Sequence, residues 1–452
     1  MIKTTKLRIT ILVFLLAALT AYFVVFVVRS GDRGPNIVFI LADDLGWGDL
    51  GAYGHPYAKT SNIDMLAAEG TLFHRFYVTG PVCAPSRAGF MTSRSPATYV
   101  NSTGKHGLQG RMTITELLNN NGYATGHFGK WVIGDNRDSG TYGIDQVSTG
   151  NQARKSIQGR DAPVFEAANA FIESNKDVPF YVNIWTHAVH VPLGPHPSHS
   201  AVFKDIEVKR EDFSKFMQVK FDEAENAGHS PHEGMAVYLG EIYALDILVG
   251  KLLQKLDELG LRENTIVVFS SDNGPENINM SEGQLSRLNR MGYAGGLRGS
   301  KHDPYEGGVR SPFLIRWPGI VPAGNVNTTS ITSALDWLPT LASIVGVSYD
   351  KDMFEGEDVS DIWKGSKMSR KNLLFWSNSA ILQGDWKMHE REKEISLYNL
   401  SENPEEDVDL ADKYPEIVEK LKKKMDEWGS TLPNEEGSKA VVITPADIPE
   451  SI

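Results

Sequence analysis

The reactive chemistry of this sequence centres on Cys83, the only cysteine among 452 residues. A single cysteine cannot form an intrachain disulfide, so its thiol is available for other chemistry. Pro85 suits the first turn of a helix, and Ser86–Met91 can continue that helix. Cys83 is therefore predicted near a helix N-terminus, where free N–H groups and the helix dipole favour an anion. Arg87, one turn further on, can reach back toward the same point. The alternative is a buried cysteine that serves as a small hydrophobic residue.

Acidic and amide side chains follow two predicted strands. Residues 36–42 and 264–271 are nearly continuous apolar runs, typical of strands buried on both faces of a parallel sheet. Ligands of such sheets bind at the carboxyl ends of the strands, where these polar residues lie. The residues are Asp43, Asp44, Asp272 and Asn273. Adjacent carboxylates repel each other unless a cation joins them. Three carboxylates and one amide suit a hard divalent cation, Ca²⁺ or Mg²⁺, better than zinc.

Two lysines and two histidines extend this set. Lys130 and Lys301 lie in glycine-rich segments, which favour a fixed lysine aimed at a ligand. Either lysine would bind an anion as a compact point charge. His187 and His190 follow residues 180–186, a third buried-strand pattern. Histidine suits the protonation of an alcohol leaving group because its pKa lies near neutrality.

These motifs, in their order along the chain, resemble those of the type I sulfatases. That family is formylglycine-dependent and arylsulfatase-like, and it belongs to the alkaline-phosphatase-like superfamily. The segments that carry the resemblance are Cys83-x-Pro85-Ser86-Arg87, Gly122–Trp131, Leu297–Arg310 and the two acidic strand ends. In that family the cysteine is oxidised to formylglycine by a maturation enzyme, and the hydrated aldehyde is the nucleophile. The resemblance implies calcium bound by Asp43, Asp44, Asp272 and Asn273, with the modified Cys83 as a further ligand.

The resemblance also implies catalytic roles. Calcium and Arg87 would stabilise one oxygen of the hydrate as it attacks sulfur in line. Lys130 and Lys301 would hold the sulfate oxygens. His190 precedes x-Pro, as the family's leaving-group histidine commonly does, and would protonate the departing alcohol; His187 is the alternative. Collapse of the remaining hydroxyl to the aldehyde would then expel sulfate.

The sequence departs from the family pattern at Val132. The family usually has Gly-Lys-Trp-His-x-Gly, in which the histidine assists the nucleophile. A valine side chain can neither transfer a proton nor donate a hydrogen bond. Another group, His127 or a water, would have to take that role, or the step proceeds differently.

The predicted fold is α/β: a large mixed, mostly parallel sheet sandwiched by helices, with a smaller C-terminal antiparallel sheet plus helix. We assign residues 34–346 to the catalytic domain and residues 347–452 to the smaller α+β subdomain and tail. Residues 235–259 carry the strongest helical periodicity. Residues 194–234 lack clean periodicity and are predicted as a long irregular excursion over the active-site mouth, or as a mobile surface insertion.

Charge and the N-terminal segment restrict partners and location. The net charge of −12 argues against a nucleic-acid partner, which usually demands a basic surface. Residues 1–33 contain a basic flank followed by about twenty nearly all apolar residues, enough to span a bilayer. This run is longer than most signal-peptide cores, so we favour a signal-anchor over a cleaved signal peptide. The basic start predicts a cytoplasmic N-terminus and an exported, periplasmic or extracytoplasmic body.

The predicted function is a sulfuric-ester hydrolase that acts on a sulfated carbohydrate or another sulfated small molecule. His302, beside Lys301, is a further substrate-binding candidate, and Trp47 and Tyr305 are candidates to line a sugar site with His187 and His190. Two alternatives remain. One is a phosphate or phosphonate ester hydrolase of the same superfamily. The other is an inactive, membrane-tethered glycan-binding protein, which the absent family histidine suggests.

Overall fold

The computed structural model describes five stretches of the chain. They are residues 34–100, 106–134, 138–149, 153–276 and 290–433. Residues 1–33, in which the signal peptide or signal-anchor is predicted, and the tail 434–452 lie outside the described residues. Within the described stretches, no helix is both long and apolar enough to cross a membrane.

Nine strands form one large sheet. In chain order they are β1 (Asn36–Ala42), β2 (Thr71–Tyr77), β3 (Ala124–Gly129), β4 (Gln146–Ser148), β5 (Phe180–Trp185), β6 (Thr265–Ser271), β7 (Arg310–Arg316), β8 (Asn325–Asn327) and β9 (Thr332–Ser333). Their order across the sheet is β4-β3-β5-β1-β6-β7-β2-β8, and β9 also pairs with β2. β7 is antiparallel to both of its neighbours, whereas the other pairings are parallel. The sheet is mixed and mostly parallel, as predicted.

Helices cover both faces of this sheet. In chain order the helices are α1 (Ser61–Ala68), α2 (Cys83–Thr92), α3 (Ile114–Asn119), α4 (Ala162–Ser174), α5 (Pro197–Ser200), α6 (Lys215–Asn226), α7 (Pro231–Glu258), α8 (Glu306–Val309), α9 (Trp337–Ile344), α10 (Ser360–Trp363) and α11 (Pro415–Gly429). Alternate residues of β1 enter two separate cores. Phe39 packs with α2, α3 and α9, whereas Ile40 packs with α1, α4, α6 and α7. Because both faces are buried, the central strands are apolar throughout.

The prediction of an irregular segment at 194–234 is wrong. This stretch contains α5, α6 and the first turn of α7, and Phe203, Met217 and Phe221 are buried in the core. α7 begins at Pro231, four residues before the predicted start, and the side chain of Ser230 caps it. The residues that obscured the periodicity therefore include helix-start signals: a cap serine followed by proline.

A second, antiparallel sheet lies near the C-terminus. It consists of β10 (Leu374–Trp376), β11 (Ala380–Gln383), β12 (Trp386–Arg391) and β13 (Glu394–Asn399), in that order. One face packs on α11 through residues such as Met388 and Leu421. The other face contributes Leu382 and Tyr398 to the core of the large sheet. The small sheet and its helix agree with the predicted fold class.

Candidate active site

Several segments converge at one edge of the large sheet. β1, β3, β5 and β6 run parallel, so the residues that follow them emerge at the same edge. β2 ends there too, because two antiparallel pairings relate it to β6. β7 begins there, and the residues that precede it join the same edge. This topology gathers the carboxylate, lysine, histidine and cysteine candidates in one place.

The predicted metal ligands form a buried cluster. Asp43 and Asp44 follow β1, Asp272 and Asn273 follow β6, and none of the four is exposed to solvent. The Asp44 N–H donates to Asp272 Oδ1 at 3.1 Å, and the Asn273 amide donates to Asp44 Oδ1 at 2.8 Å. The three aspartates each offer an oxygen within 4.8 Å of the others. The structure therefore brings the predicted ligands together.

Three cations face the three carboxylates. The Lys130 ammonium lies 2.6 Å from Asp43 Oδ2. The Arg87 guanidinium lies 2.7 Å from Asp272 Oδ2 and 3.6 Å from Asp43 Oδ1. Lys301 Nζ makes the corresponding contact with the remaining carboxylate, Asp44. These buried charges compensate one another, as buried ions must.

Ionisation differs among the three aspartates. Burial opposes the charged form of Asp43, but Lys130, His190 and Arg87 outweigh burial and hold the pKa of Asp43 below its usual value. For Asp272, burial dominates and raises the pKa to about 7, with repulsion from Asp43 acting in the same direction. A further positive charge at this point would favour the ionised form of Asp272.

Two buried oxygens in the cluster fit a metal ion. Asp43 Oδ1 and Asn273 Oδ1 accept no hydrogen bond from any of the described residues. Buried oxygens are normally hydrogen-bonded, so both are free to coordinate a cation. A donor set of carboxylate and amide oxygens, without sulfur or imidazole, suits Ca²⁺ or Mg²⁺.

Cys83 is the first residue of α2, as the position of Pro85 predicted. Burial raises the pKa of its thiol, while Lys130 and Lys301 act to lower it. Burial is the larger influence, so the pKa of the thiol lies above its ordinary value. Arg87, one turn later, ties α2 to β6 through Asp272 and also donates to the Lys130 carbonyl at 3.1 Å. The helix N-terminus is thereby fixed against the carboxylate cluster.

His190 lies on the same cluster. Its Nε2 is 3.8 Å from Asp44 Oδ2, and its Nδ1 lies 2.7 Å from the Val191 carbonyl. Because a carbonyl can only accept, Nδ1 carries the hydrogen, and Nε2 faces the site. Burial, reinforced by Lys130 and Lys301, lowers the pKa of His190 to about 4.

His187 is held differently, by a residue that the sequence did not reveal. Asp161 Oδ1 lies 2.9 Å from His187 Nδ1, and the Asp161 carboxylate also accepts the N–H groups of His187 and Ala188 at 2.8 and 2.9 Å. Asp161 immediately precedes α4, where no strand end or glycine motif drew attention to it. This carboxylate orients both the ring and the backbone of the loop after β5.

The loop before β7 holds the other substrate-binding candidates. The His302 N–H donates to the Pro81 carbonyl at 2.8 Å, so this loop touches the chain that leads to Cys83. Glu276, which sequence reasoning missed, lies 3.5 Å from Lys301 Nζ. The available signal was its position, four residues after Asp272 and just beyond the acidic strand end.

His127 is poorly placed to take the role of the family histidine that Val132 replaces. The His127 ring is enclosed edge-on by Trp131 and Trp185, each with its centroid 4.8 Å away. Burial lowers the pKa of His127 to about 3, so the ring stays neutral near pH 7. Val132 has φ of +50°, a conformation unusual for a β-branched residue and more common for histidine.

Two aromatic residues were predicted to line a sugar site. The ring of Tyr305 is buried, stacked on His389 at 4.3 Å and covered by Arg298 at 4.2 Å. It therefore offers no face to a sugar, and that prediction is wrong. Trp47 is half-buried, and its Nε1 donates to the His74 carbonyl at 3.1 Å.

The fold and this site together define a class. A mixed α/β sheet that gathers acids, lysines, a histidine and a cysteine at its carboxyl edge is an arrangement suited to ester hydrolysis with a bound cation. The sequence profile of the sulfatase family matches residues 35–347. The chain therefore belongs to the sulfatase family, within the alkaline-phosphatase-like superfamily, and is a sulfuric-ester hydrolase.

Individual relatives agree with this membership. Arylsulfatase A of Homo sapiens is 30% identical over 456 residues, covering 86% of this chain and 87% of that protein. N-acetylgalactosamine-6-O-sulfatase of Bacteroides thetaiotaomicron is 27% identical, covering 87% and 92%. The crystal structure of Ps i-CgsB in complex with k-i-k-neocarrahexaose superposes with a TM-score of 0.72 at 26% identity, covering 89% and 94%.

Proposed function

We propose that this enzyme removes sulfate from a sulfated carbohydrate, with a formylglycine at position 83 and a calcium ion. The observation that carries the proposal is the contact of both lysines with the carboxylate cluster to which Arg87 ties the helix that begins at Cys83. Two relatives supply the substrate class: one is named for a sulfated amino sugar, and one was solved with a carrageenan-type hexasaccharide.

Asp43, Asp44, Asp272 and Asn273, with the side chain at position 83, would hold the calcium ion. Two of these residues contribute the buried oxygens that accept no hydrogen bond within the part of the chain that the structure describes. When bound, the ion supplies positive charge that lowers the pKa of an oxygen nucleophile and offsets the charge of the sulfate. Formylglycine, when formed, supplies a hydrated aldehyde whose second hydroxyl allows sulfate to be expelled.

The chain's own residues perform the remaining work. Lys130 and Lys301 hold the sulfate oxygens and stabilise the negative charge on them as the ester is attacked. Arg87 holds the N-terminus of α2 against Asp272 and so fixes the side chain at position 83. Arg87 and Lys301 are buried and the Lys130 side chain is only 14% exposed, so water competes little for them. Their electrostatic effect is therefore larger than it would be at the surface.

His190 is the proposed proton donor to the leaving alcohol. Its Nδ1–H is used by the Val191 carbonyl, so the proton to be delivered is carried on Nε2, which faces the site. An anionic ester bound between the lysines offsets their repulsion of the imidazolium and favours the protonated form. His187, oriented by Asp161, and His302 are proposed to bind substrate.

Location and maturation form part of the proposal. The basic, apolar segment 1–33 supports export, with the catalytic part outside the cytoplasm and the membrane reached through that segment if it is retained. The motif around Cys83 supports recognition by a formylglycine-generating enzyme. Saccharide and maturation enzyme are the partners we propose.

Two comparisons of turnover test the function. The enzyme should hydrolyse nitrophenyl sulfate much faster than nitrophenyl phosphate; the opposite preference would favour the phosphate or phosphonate hydrolase. Against a panel of defined sulfated saccharides, at least one should exceed nitrophenyl sulfate in kcat/KM. Full-length protein with unmodified Cys83, no turnover of any sulfate ester, and retained saccharide binding would instead favour the glycan-binding protein.

A further inference from the structure

A second buried charge cluster lies where the small sheet meets the loop that precedes β7. Its centre is Glu306, the first residue of α8, which is fully buried. Glu306 Oε1 accepts from Lys387 Nζ of β12 at 2.8 Å, and Oε2 accepts from the Tyr77 hydroxyl at 2.9 Å. Arg310 Nη1 lies 3.4 Å from Glu306 Oε2, the oxygen that also accepts from Tyr77. Glu306 thus joins three strands from two sheets.

The small subdomain contacts the loop before β7 through a backbone N–H as well as through side chains. Glu406, which follows β13, accepts the Glu306 N–H at 2.6 Å through Oε2. Its Oε1 lies 3.4 Å from Lys387 Nζ and 2.7 Å from His389 Nε2. Lys387 and Glu406 are both fully buried. Lys387 therefore neutralises two carboxylates that hold one turn of α8.

This turn is hydrogen-bonded to the start of the loop that carries Lys301. The Gly307 N–H donates to the Arg298 carbonyl at 2.7 Å, and the Gly308 N–H donates to the Tyr305 carbonyl at 2.9 Å, closing the loop around Lys301. The Lys301 N–H donates to the Pro275 carbonyl at 2.8 Å. A shift of α8 would consequently move the Lys301 ammonium relative to Asp44.

The same subdomain also reaches the chain that leads to Cys83. Trp376 Nε1 of β10 donates to the Val78 carbonyl at 2.9 Å, and Lys387 Nζ lies 5.1 Å from the Trp376 ring. Val78 immediately follows Tyr77, whose hydroxyl binds Glu306. The loop that carries Lys301 and the chain that leads to Cys83 are therefore both held by one group of buried side chains.

We propose that Lys387 is a positioning residue for sulfate-ester hydrolysis, acting through Glu306 to fix the loop that carries Lys301. A buried ion pair is often no more stabilising than apolar residues of similar size, so stability alone gives little reason for lysine here. Its two carboxylate partners are the groups that orient α8. The catalytic part of this inference rests on the proposed sulfate-binding role of Lys301.

Lys387→Met tests the inference, with Lys387→Arg as the conservative variant and exposed Lys423→Met as the matched control. In Lys387→Met, kcat/KM for a sulfate ester should fall by about 10- to 100-fold, the scale expected for misplacement by about 1 Å. Lys387→Arg should recover part of the loss, and Lys423→Met should behave as wild type. If Lys387→Met fails to fold, a triple variant that adds Glu306→Gln and Glu406→Gln removes both carboxylates that lose Lys387. That variant is then used in place of Lys387→Met in every measurement.

A double-mutant cycle separates positioning from general damage. On a Lys301→Met background, Lys387→Met should cause little further loss, because Lys387 acts through Lys301. On a Lys130→Met background the two losses should multiply, since Lys130 belongs to another segment. Losses that multiply on both backgrounds would overturn the inference.

Hydrogen exchange provides a readout that does not depend on activity. The amides of residues 298–309 should exchange faster in Lys387→Met than in wild type, whereas those of β1 should be unchanged. Unchanged exchange in the loop would overturn the positioning inference even if the enzyme is an active sulfatase. Faster loop exchange in Lys387→Met, when the wild-type protein hydrolyses no sulfated saccharide, would uphold the loop contact and reject the proposed function.

Discussion

Lys301 Nζ lies 2.8 Å from Asp44 Oδ2, although 257 residues separate them in the chain. Lys130 Nζ likewise lies 2.6 Å from Asp43 Oδ2. Two of the three aspartates proposed to bind the cation are thus each paired with a lysine proposed to bind sulfate, and the third, Asp272, is paired with Arg87. The metal site and the sulfate site share charges, so a change in one should alter the other.

Calcium removal should lower activity and stability together. The ion binds the folded protein preferentially, so calcium at 100 times its Kd should add about 2.7 kcal/mol to the free energy of unfolding. Asp44→Asn should reduce this gain in a thermal-unfolding titration, whereas exposed Asp205→Asn should not. Stoichiometric zinc without calcium in a metal analysis of active enzyme would contradict the assignment.

Cys83→Ala should abolish turnover while leaving the thermal midpoint within a few degrees of wild type. The Cys83 side chain is small and only partly buried, so its loss should not unfold the protein. Cys83→Ser with its hydroxyl unoxidised should be equally inactive toward sulfate esters, because an alcohol lacks the second hydroxyl of the hydrated aldehyde. Mass spectrometry of the wild-type peptide should show an aldehyde in place of the thiol; wild-type rates in Cys83→Ala would refute the role.

His190→Ala should impair sugar sulfates much more than nitrophenyl sulfate. A sugar alcohol needs a proton to leave, and loss of a general acid typically costs about 10²- to 10⁴-fold in rate. A nitrophenolate needs far less help. The measurement is kcat/KM for both substrates in the same variant.

His187→Ala should affect both of these substrates by a similar, smaller factor through binding. Asp161→Asn should resemble His187→Ala, because Asp161 holds that ring. If the two histidine variants show the reverse pattern, their roles must be exchanged. If neither discriminates between leaving groups, the acid lies elsewhere, and His302 is the next candidate.

Asp49→Asn should flatten the pH dependence of stability between about pH 4 and 7. Burial raises the pKa of Asp49 to about 7, despite hydrogen bonds donated by Gly46, Tyr293 and Tyr238. In that range the folded state holds a proton that the unfolded state has released, so stability falls as pH rises, by up to about 1.4 kcal/mol per pH unit.

The measurement for Asp49 is the thermal midpoint at several pH values. Wild type and Asp205→Asn should lose stability from pH 4 to 7 more steeply than Asp49→Asn. Above about pH 7 the contribution of Asp49 to the slope should vanish, because both states are then ionised. Parallel curves for all three proteins would show that Asp49 is ionised throughout.

The sequence predicted the strands and the site residues at their ends because central parallel strands are apolar throughout and change abruptly to polar residues. Asp43, Asp44, Asp272 and Asn273 all lie at such changes. Cys83 and Arg87 were predictable because Pro85 marks the first turn of a helix. The small sheet was predictable from short apolar runs separated by turns.

Other features depend on tertiary contacts that leave no local pattern. Asp161 and Glu306 act through partners far along the chain, and nothing near them distinguishes a buried carboxylate from a solvated one. Tyr305 was misread because its aromatic ring suits a sugar site and a packed interface equally well. The helices within 194–234 were missed because Pro and Glu at helix starts interrupt the apolar spacing.

The burial of α2 sets an order of events in biosynthesis. Ser86 and Arg87, which belong to the motif that marks Cys83, are wholly inaccessible in the folded protein. An enzyme that reads this motif in an extended chain can do so only before α2 docks against β6. The proposed conversion of Cys83 to formylglycine therefore competes in time with folding. A variant that folds faster should contain a smaller fraction of converted protein. A fully folded, unconverted molecule should stay inactive for its lifetime.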